Sequence, residues 1–231
     1  MRKQKIASGG IYHIYNRGVE KRSLFLDDRD YNRFVYNLAI FNDIKPALNS
    51  GRKSKIGLAE KEVKSIKQKR PLVNIIVFCL MPNHFHLLLE QEENDGISKF
   101  MNKIGVGYAN YFNLKYQRVG PLFQGKFKSV LVNNEAHFLY IPHYIHLNPL
   151  DLVMPSWREG SIKETKKALN FLDSYKWSSY GDYTGKANFQ FLDKHILFEY
   201  FNGAKGYAKE FQSFINDLEF STISDSDLLI D

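Results

Sequence analysis

Apolar positions recur along the chain at two periods. Short runs rich in β-branched and aromatic residues occur at 11–16 (IYHIYN), 73–81 (VNIIVFCLM), 84–90 (HFHLLLE) and 126–133 (KFKSVLVN), and these read as strands. Pro82-Asn83 reads as a turn or short connection, so the second and third runs suggest a hairpin. Helical spacing governs the segments between. In LDDRDYNRFVYNLAIFND, residues Tyr31, Phe34, Val35, Leu38 and Phe41 fall on one face, and Asp27 or Asp28 can cap the start. In ISKFMNKIGVGYANYFNLKY, residues Phe100, Ile104, Tyr108, Tyr111 and Phe112 do the same, with Gly105 and Gly107 weakening the pattern. Asn134 can cap a helix from Glu135 to near Asn148; Pro142 inside it predicts a kink or an early break. Past Pro155 the pattern loosens: WSSYGDY reads as a turn-rich connection, and 192–218 suits one or two short helices.

The order β, α, β, β, α, β, α predicts an α+β fold, a central antiparallel sheet with helices packed on it. Residues 1–155 would form the main domain, with a basic insertion at 46–72, and 156–231 a partly helical C-terminal extension. No internal repeat is present.

Charge adds one feature. The net charge is +7, but 51–70 (GRKSKIGLAEKEVKSIKQKR) alone holds eight Lys/Arg against two Glu, a local +6 that leaves about +1 for the rest. Such a block suits a polyanion, and equally a solvated insertion. No apolar run is long enough to cross a membrane. The N-terminus lacks the apolar core of a secretion signal, and one cysteine, Cys79, permits no internal disulfide, so a cytoplasmic protein is expected.

Candidate chemistry sits in MPNHFHLLLE. On a strand, His84 and His86 share a face and Phe85 takes the other. Two imidazoles so held are half of a metal site. Seven histidines would give roughly 0.2 such pairs by chance, so spacing alone favours two packed or half-exposed rings. HYIHLNP offers the second group. One helical turn puts Tyr144 beside Asn148, a phenol next to an amide oxygen that can ligate a hard cation. Each also has an ordinary reading, Tyr144 as a core ring and Asn148 as a helix end before a proline.

Together these motifs resemble the HUH endonucleases. MPNHFHLLLE is similar to their His-hydrophobic-His motif, and YIHLNP to the tyrosine helix of the single-tyrosine transposases. The resemblance is closest to the relatives associated with repetitive extragenic palindromes (REP). YHIYNRG, FLDDRDYNRF, GPLFQGKFKS and KWSSY follow in the family's order, covering most of residues 9–180. The resemblance implies a ferredoxin-like HUH fold in which His84, His86 and Asn148 bind a divalent metal, Mg²⁺ or Mn²⁺. It implies Tyr144 as nucleophile, single-stranded DNA beside a hairpin as substrate, and a 5′-phosphotyrosine intermediate. Some family members are homodimers and others act as monomers. One departure stands out: after NP the family continues with a small basic patch, whereas this chain reads LDLVMPSWREG, which puts DNA contacts from that stretch in question.

Cations around the expected site are Arg17, Lys21 and Arg22, then Lys115, Arg118, Lys126 and Lys128, the second group interleaved with Tyr116, Phe123 and Phe127. Basic grooves with stacking rings bind single strands. His13 is either a neighbour of the site or a core residue. The alternatives to a tyrosine transposase are a metal phosphodiesterase using water and a non-catalytic nucleic-acid-binding relative.

Overall fold

The computed structural model describes residues 6–45, 65–66, 70–160 and 162–217. Most of the basic insertion at 46–72 lies outside them. The elements are β1 (Ile11–Arg17), α1 (Asp28–Phe41), β2 (Val73–Met81), β3 (His84–Gln91), α2 (Gly96–Lys115), β4 (Lys128–Leu131) and α3 (Glu135–Leu147). Four further helices follow: α4 (Thr165–Ser174), α5 (Tyr180–Tyr183), α6 (His195–Phe201) and α7 (Gly203–Asn216). The strands form one sheet in the order β2-β3-β1-β4, antiparallel throughout.

Strand alternation builds two cores on opposite faces. On one face, Tyr12, Ile14, Phe85, Leu87 and Leu89 pack under α1 and α2. On the other, Leu88, Cys79 and Met81 meet Ile141, Tyr144 and Ile145 of α3, together with Phe211 and Ile215 of α7. A bulge between Ile75 and Val77 sends both Ile76 and Val77 to the α3 side, so two adjacent apolar residues of β2 share one core.

Local chemistry sets the helix ends. Asp27 caps α1 by accepting from the Asp30 amide at 3.0 Å, and Asn134 caps α3 by accepting from the His137 amide at 2.8 Å. Helix α2 runs through its glycines because Gly107 is a packing glycine: a Cβ there would collide with the Phe41 ring of α1. Helix α3 also passes through Pro142, so the early break does not occur. Pro142 is buried, and packing on both sides of the helix outweighs the lost backbone bond.

The KWSSY stretch is more ordered than a loose connection. The Leu80 amide donates to the Trp177 carbonyl at 2.9 Å, the Ser179 amide to the Phe78 carbonyl at 3.0 Å, and the Tyr175 hydroxyl to the Leu80 carbonyl at 2.6 Å. This covers the free edge of β2. Buried Tyr180 and Tyr183 of α5 then plug the second core. Among the described residues, no helix is long and apolar enough to cross a membrane.

Candidate active site

The second face of the sheet carries the chemistry. Register pairs Arg17 with His84, Tyr15 with His86, and Tyr15 again with Lys128 across β1. Directly paired residues point the same way, so these five side chains share one face. Phe85 points away and packs on Phe34 at a ring-centroid distance of 5.0 Å. The His84 and His86 rings lie 5.1 Å apart, nearly perpendicular. Tyr144 of α3 stands over them, its ring 5.9 Å from His86 and 6.2 Å from His13.

Hydrogen bonds orient each group. The Asn83 amide donates to the Lys21 carbonyl at 3.3 Å, which leaves its oxygen for His84 Nδ1 at 2.7 Å. His84 therefore carries its proton on Nδ1 and presents a bare Nε2. His86 Nδ1 lies 2.9 Å from His13 Nε2, and one proton is shared along that line. If His86 donates, its Nε2 is bare as well. That buried Nε2 has no hydrogen-bond partner. The Asn148 amide donates to the Tyr144 carbonyl at 2.8 Å, so its oxygen faces the site. Asn148 is also near enough to His84 to act on its titration.

Every imidazole here is held neutral. Burial lowers His13 to about 3, helped by His137. Burial lowers His84 to about 4; Asp151 opposes this, while Arg158 and Arg17 add to it. His86 is pushed down by burial, then by His84, His13 and Arg158. Neutral imidazoles are what a cation needs as ligands. Among the described residues, no cluster of three or more His, Cys, Asp or Glu side chains could hold a metal. Two imidazoles plus the Asn148 amide oxygen fall outside that description, and the unpartnered His86 Nε2 fits such a donor set.

Arg158 enters from a stretch that no motif marks. It lies in the 3₁₀ turn Pro155–Glu159. It donates to the Tyr144 hydroxyl at 3.2 Å and to the Asn148 oxygen at 3.1 Å. Asp151 grips it at 2.9 and 2.7 Å, and the Trp157 indole donates to the same carboxylate at 2.6 Å. Burial alone would lower the guanidinium's pKa; the bond to Asp151 more than offsets it and holds the charge. The only trace in the sequence is the departure itself, a single arginine in LDLVMPSWREG.

The seven expected DNA-contacting cations divide by position. Arg17 and Lys128 lie on the site face. Arg17 is anchored on Gln124, and the Gln124 amide donates to the Arg17 carbonyl at 2.9 Å, which holds the GPLFQG loop beside the end of β1. Lys126 is exposed in that loop, next to Gly125 with its φ of 108°. Lys21 and Arg22 follow β1, with Arg22 3.6 Å from Glu20. Arg118 is bound to Asn113 at 2.8 Å. Lys115 is committed elsewhere: it bridges Asp27 and the buried Asp30 at 2.8 and 2.7 Å.

The model of the family described as IS200-like transposases matches residues 52–148, a span that includes both histidines, Tyr144 and Asn148. That stretch of the chain is similar to the IS200-like transposases. The match agrees with the single-tyrosine HUH resemblance that the motifs carry. The chain also has a structural likeness beyond that span. A REP-associated tyrosine transposase, solved bound to a REP hairpin, superposes with a TM-score of 0.52 at 13% identity, over 80% of this chain and 86% of that one. That likeness supports the fold, an antiparallel sheet with helices packed on it. No curated protein sequence matches the chain at a significant level.

Proposed function

We propose that this protein is a transposase, a metal-dependent single-stranded DNA endonuclease and strand transferase with Tyr144 as its nucleophile. The observation carrying the reading is the convergence of a phenol, an amide oxygen and an unpartnered buried imidazole nitrogen on one sheet face. His84, His86 and Asn148 would hold Mg²⁺ or Mn²⁺, which when bound polarises the scissile phosphodiester and offsets charge as the bond breaks.

The Tyr144 hydroxyl attacks phosphorus. An Oη–P bond forms as the P–O3′ bond breaks. The 3′ oxygen leaves with the electron pair and takes up the phenol's proton through solvent. The products are a 5′-phosphotyrosine link and a free 3′-OH. The covalent link replaces one difficult step with two easier ones, and attack by a second 3′-OH reverses the first. Arg17 and Lys128 flank the histidines and supply positive charge for the incoming backbone. The hairpin bound to the structural relative supports a hairpin beside the cleaved strand.

A labelled single-stranded oligonucleotide with an adjoining hairpin, incubated with the protein and Mn²⁺, should give a covalent adduct on a denaturing gel. Tyr144→Phe should give none. Cleavage that continues in Tyr144→Phe, with no adduct from the unaltered chain, would instead make water the nucleophile. Binding without cleavage under any metal would leave a non-catalytic relative.

A further inference from the structure

We propose that Arg158 is a further catalytic residue, the group that takes a non-bridging oxygen of the scissile phosphodiester. The inference rests on the reading of Tyr144 as nucleophile.

Three observations lead there. First, the guanidinium touches both the attacking hydroxyl, at 3.2 Å, and the Asn148 oxygen, at 3.1 Å. A residue needed only to fasten the turn would be satisfied by Asp151. Second, it is preorganised. Asp151 binds Nε and Nη2 as a fork, and the Trp157 ring lies 4.7 Å from the guanidinium carbon. A planar donor set held this way matches two phosphate oxygens and needs little reordering when they arrive. Third, it is reachable. The Arg158 side chain is 42% exposed, whereas Tyr144 is 5% exposed. DNA approaching the hydroxyl therefore meets the guanidinium on the way in.

The same placement serves both directions of the reaction. During attack, negative charge gathers on the non-bridging oxygens within reach of the Arg158 N–H groups. During rejoining, the tyrosine oxygen departs as an anion, and the guanidinium faces it. Asp151 has a separate part as a positioning residue: it touches no reacting atom and aims the fork.

Arg158→Lys and Arg158→Gln test this in the full chain with the hairpin oligonucleotide and Mn²⁺. Single-turnover adduct formation should fall by about 10²–10³-fold in Arg158→Gln, with partial recovery in Arg158→Lys. A merely structural role is separated by placing a phosphorothioate at the cleaved linkage as each of its two diastereomers. Contact with one oxygen predicts that the unaltered protein prefers one diastereomer and that the preference shrinks in both variants. If Arg158→Gln does not fold, Arg158→Lys carries the same readout. Rates within about threefold of the unaltered protein, or a slower rate with the preference intact, would overturn the proposal. The outcome for Tyr144 is distinct. An adduct lost in Tyr144→Phe but formed normally in Arg158→Gln removes the arginine's role and leaves the nucleophile standing. An unaltered chain that forms no adduct removes both.

Discussion

His143 is buried in a box of aromatic rings, with Phe201, Tyr207, Phe211 and Phe214 at centroid distances of 5.5, 5.3, 5.5 and 4.8 Å. Its Nε2 has no hydrogen-bond partner, and burial lowers its pKa to about 3. In the unfolded chain the ring titrates near the ordinary ~6.5. Below that pH the unfolded state takes up a proton that the folded state refuses. The contribution of His143 to stability is therefore full above the unfolded pKa, and it falls as acidity increases toward the folded pKa. Between pH 7 and 5.5 the loss is about 1.3 kcal/mol for one such ring. His143→Phe removes this loss while keeping an aromatic in the box. It also removes an orphaned polar atom, worth about 1–3 kcal/mol, against an overpacking cost of similar size. These two offsets do not depend on pH, so the change in slope is the quantity to read. Urea unfolding followed by circular dichroism at pH 7 and 5.5 should show the variant losing about 1.3 kcal/mol less than the unaltered protein. Identical losses in the two proteins would refute the reasoning, because the ring would then have to be protonated, or exposed, in the folded state.

Other consequences follow from the site. If His86 donates to His13, His13→Ala should weaken Mn²⁺ binding by about 10–100-fold in calorimetric titration, since it removes the ring that holds His86 Nδ1 at 2.9 Å. His13→Gln, whose amide oxygen can accept the same proton, should lose less, and equal affinities in all three proteins would count against the role. Lys128→Ala should lower the salt dependence of DNA binding by about one unit of slope. Lys115→Ala should leave that slope unchanged and instead cost stability, by about 1–3 kcal/mol, because the buried Asp30 loses its charged partner and keeps only the Leu26 amide and the Tyr111 and Tyr116 hydroxyls. A reduced slope in Lys115→Ala would show that the lysine leaves its carboxylates for DNA.

The parts of this protein legible in sequence are those set by local periodicity. The caps at Asp27 and Asn134, the two-residue hairpin turn and the opposite facing of His84 and Phe85 all come from short-range rules, and the structure has them. What stayed hidden depends on contacts between distant segments. Lys115 looks like any other cation until Asp27 and Asp30 are seen from 88 and 85 residues away. His13 could be placed only by the register that brings it against His86, 73 residues on. Arg158 reaches the nucleophile because the 3₁₀ turns at Asn148–Leu152 and Pro155–Glu159 fold back on α3, and no periodicity encodes that return. Pro142 misleads for the same reason, since its cost is local and its compensation is not.

The seating of α3 has a mechanical side. His146 reaches Tyr207 at 2.7 Å and Ser179 at 2.8 Å, and Ser179 in turn accepts from the Phe78 amide at 3.0 Å. The helix that carries Tyr144 is thus pinned to the sheet on one flank and to α7 on the other. A lever clamped at both flanks has no stroke. Under the proposed mechanism, a DNA end joined to Tyr144 would stay where those contacts hold the helix. Exchange of strands would then fall to the nucleic acid: the free 3′ end would have to travel to a stationary junction, and the length of single strand beside the proposed hairpin would set how far it reaches.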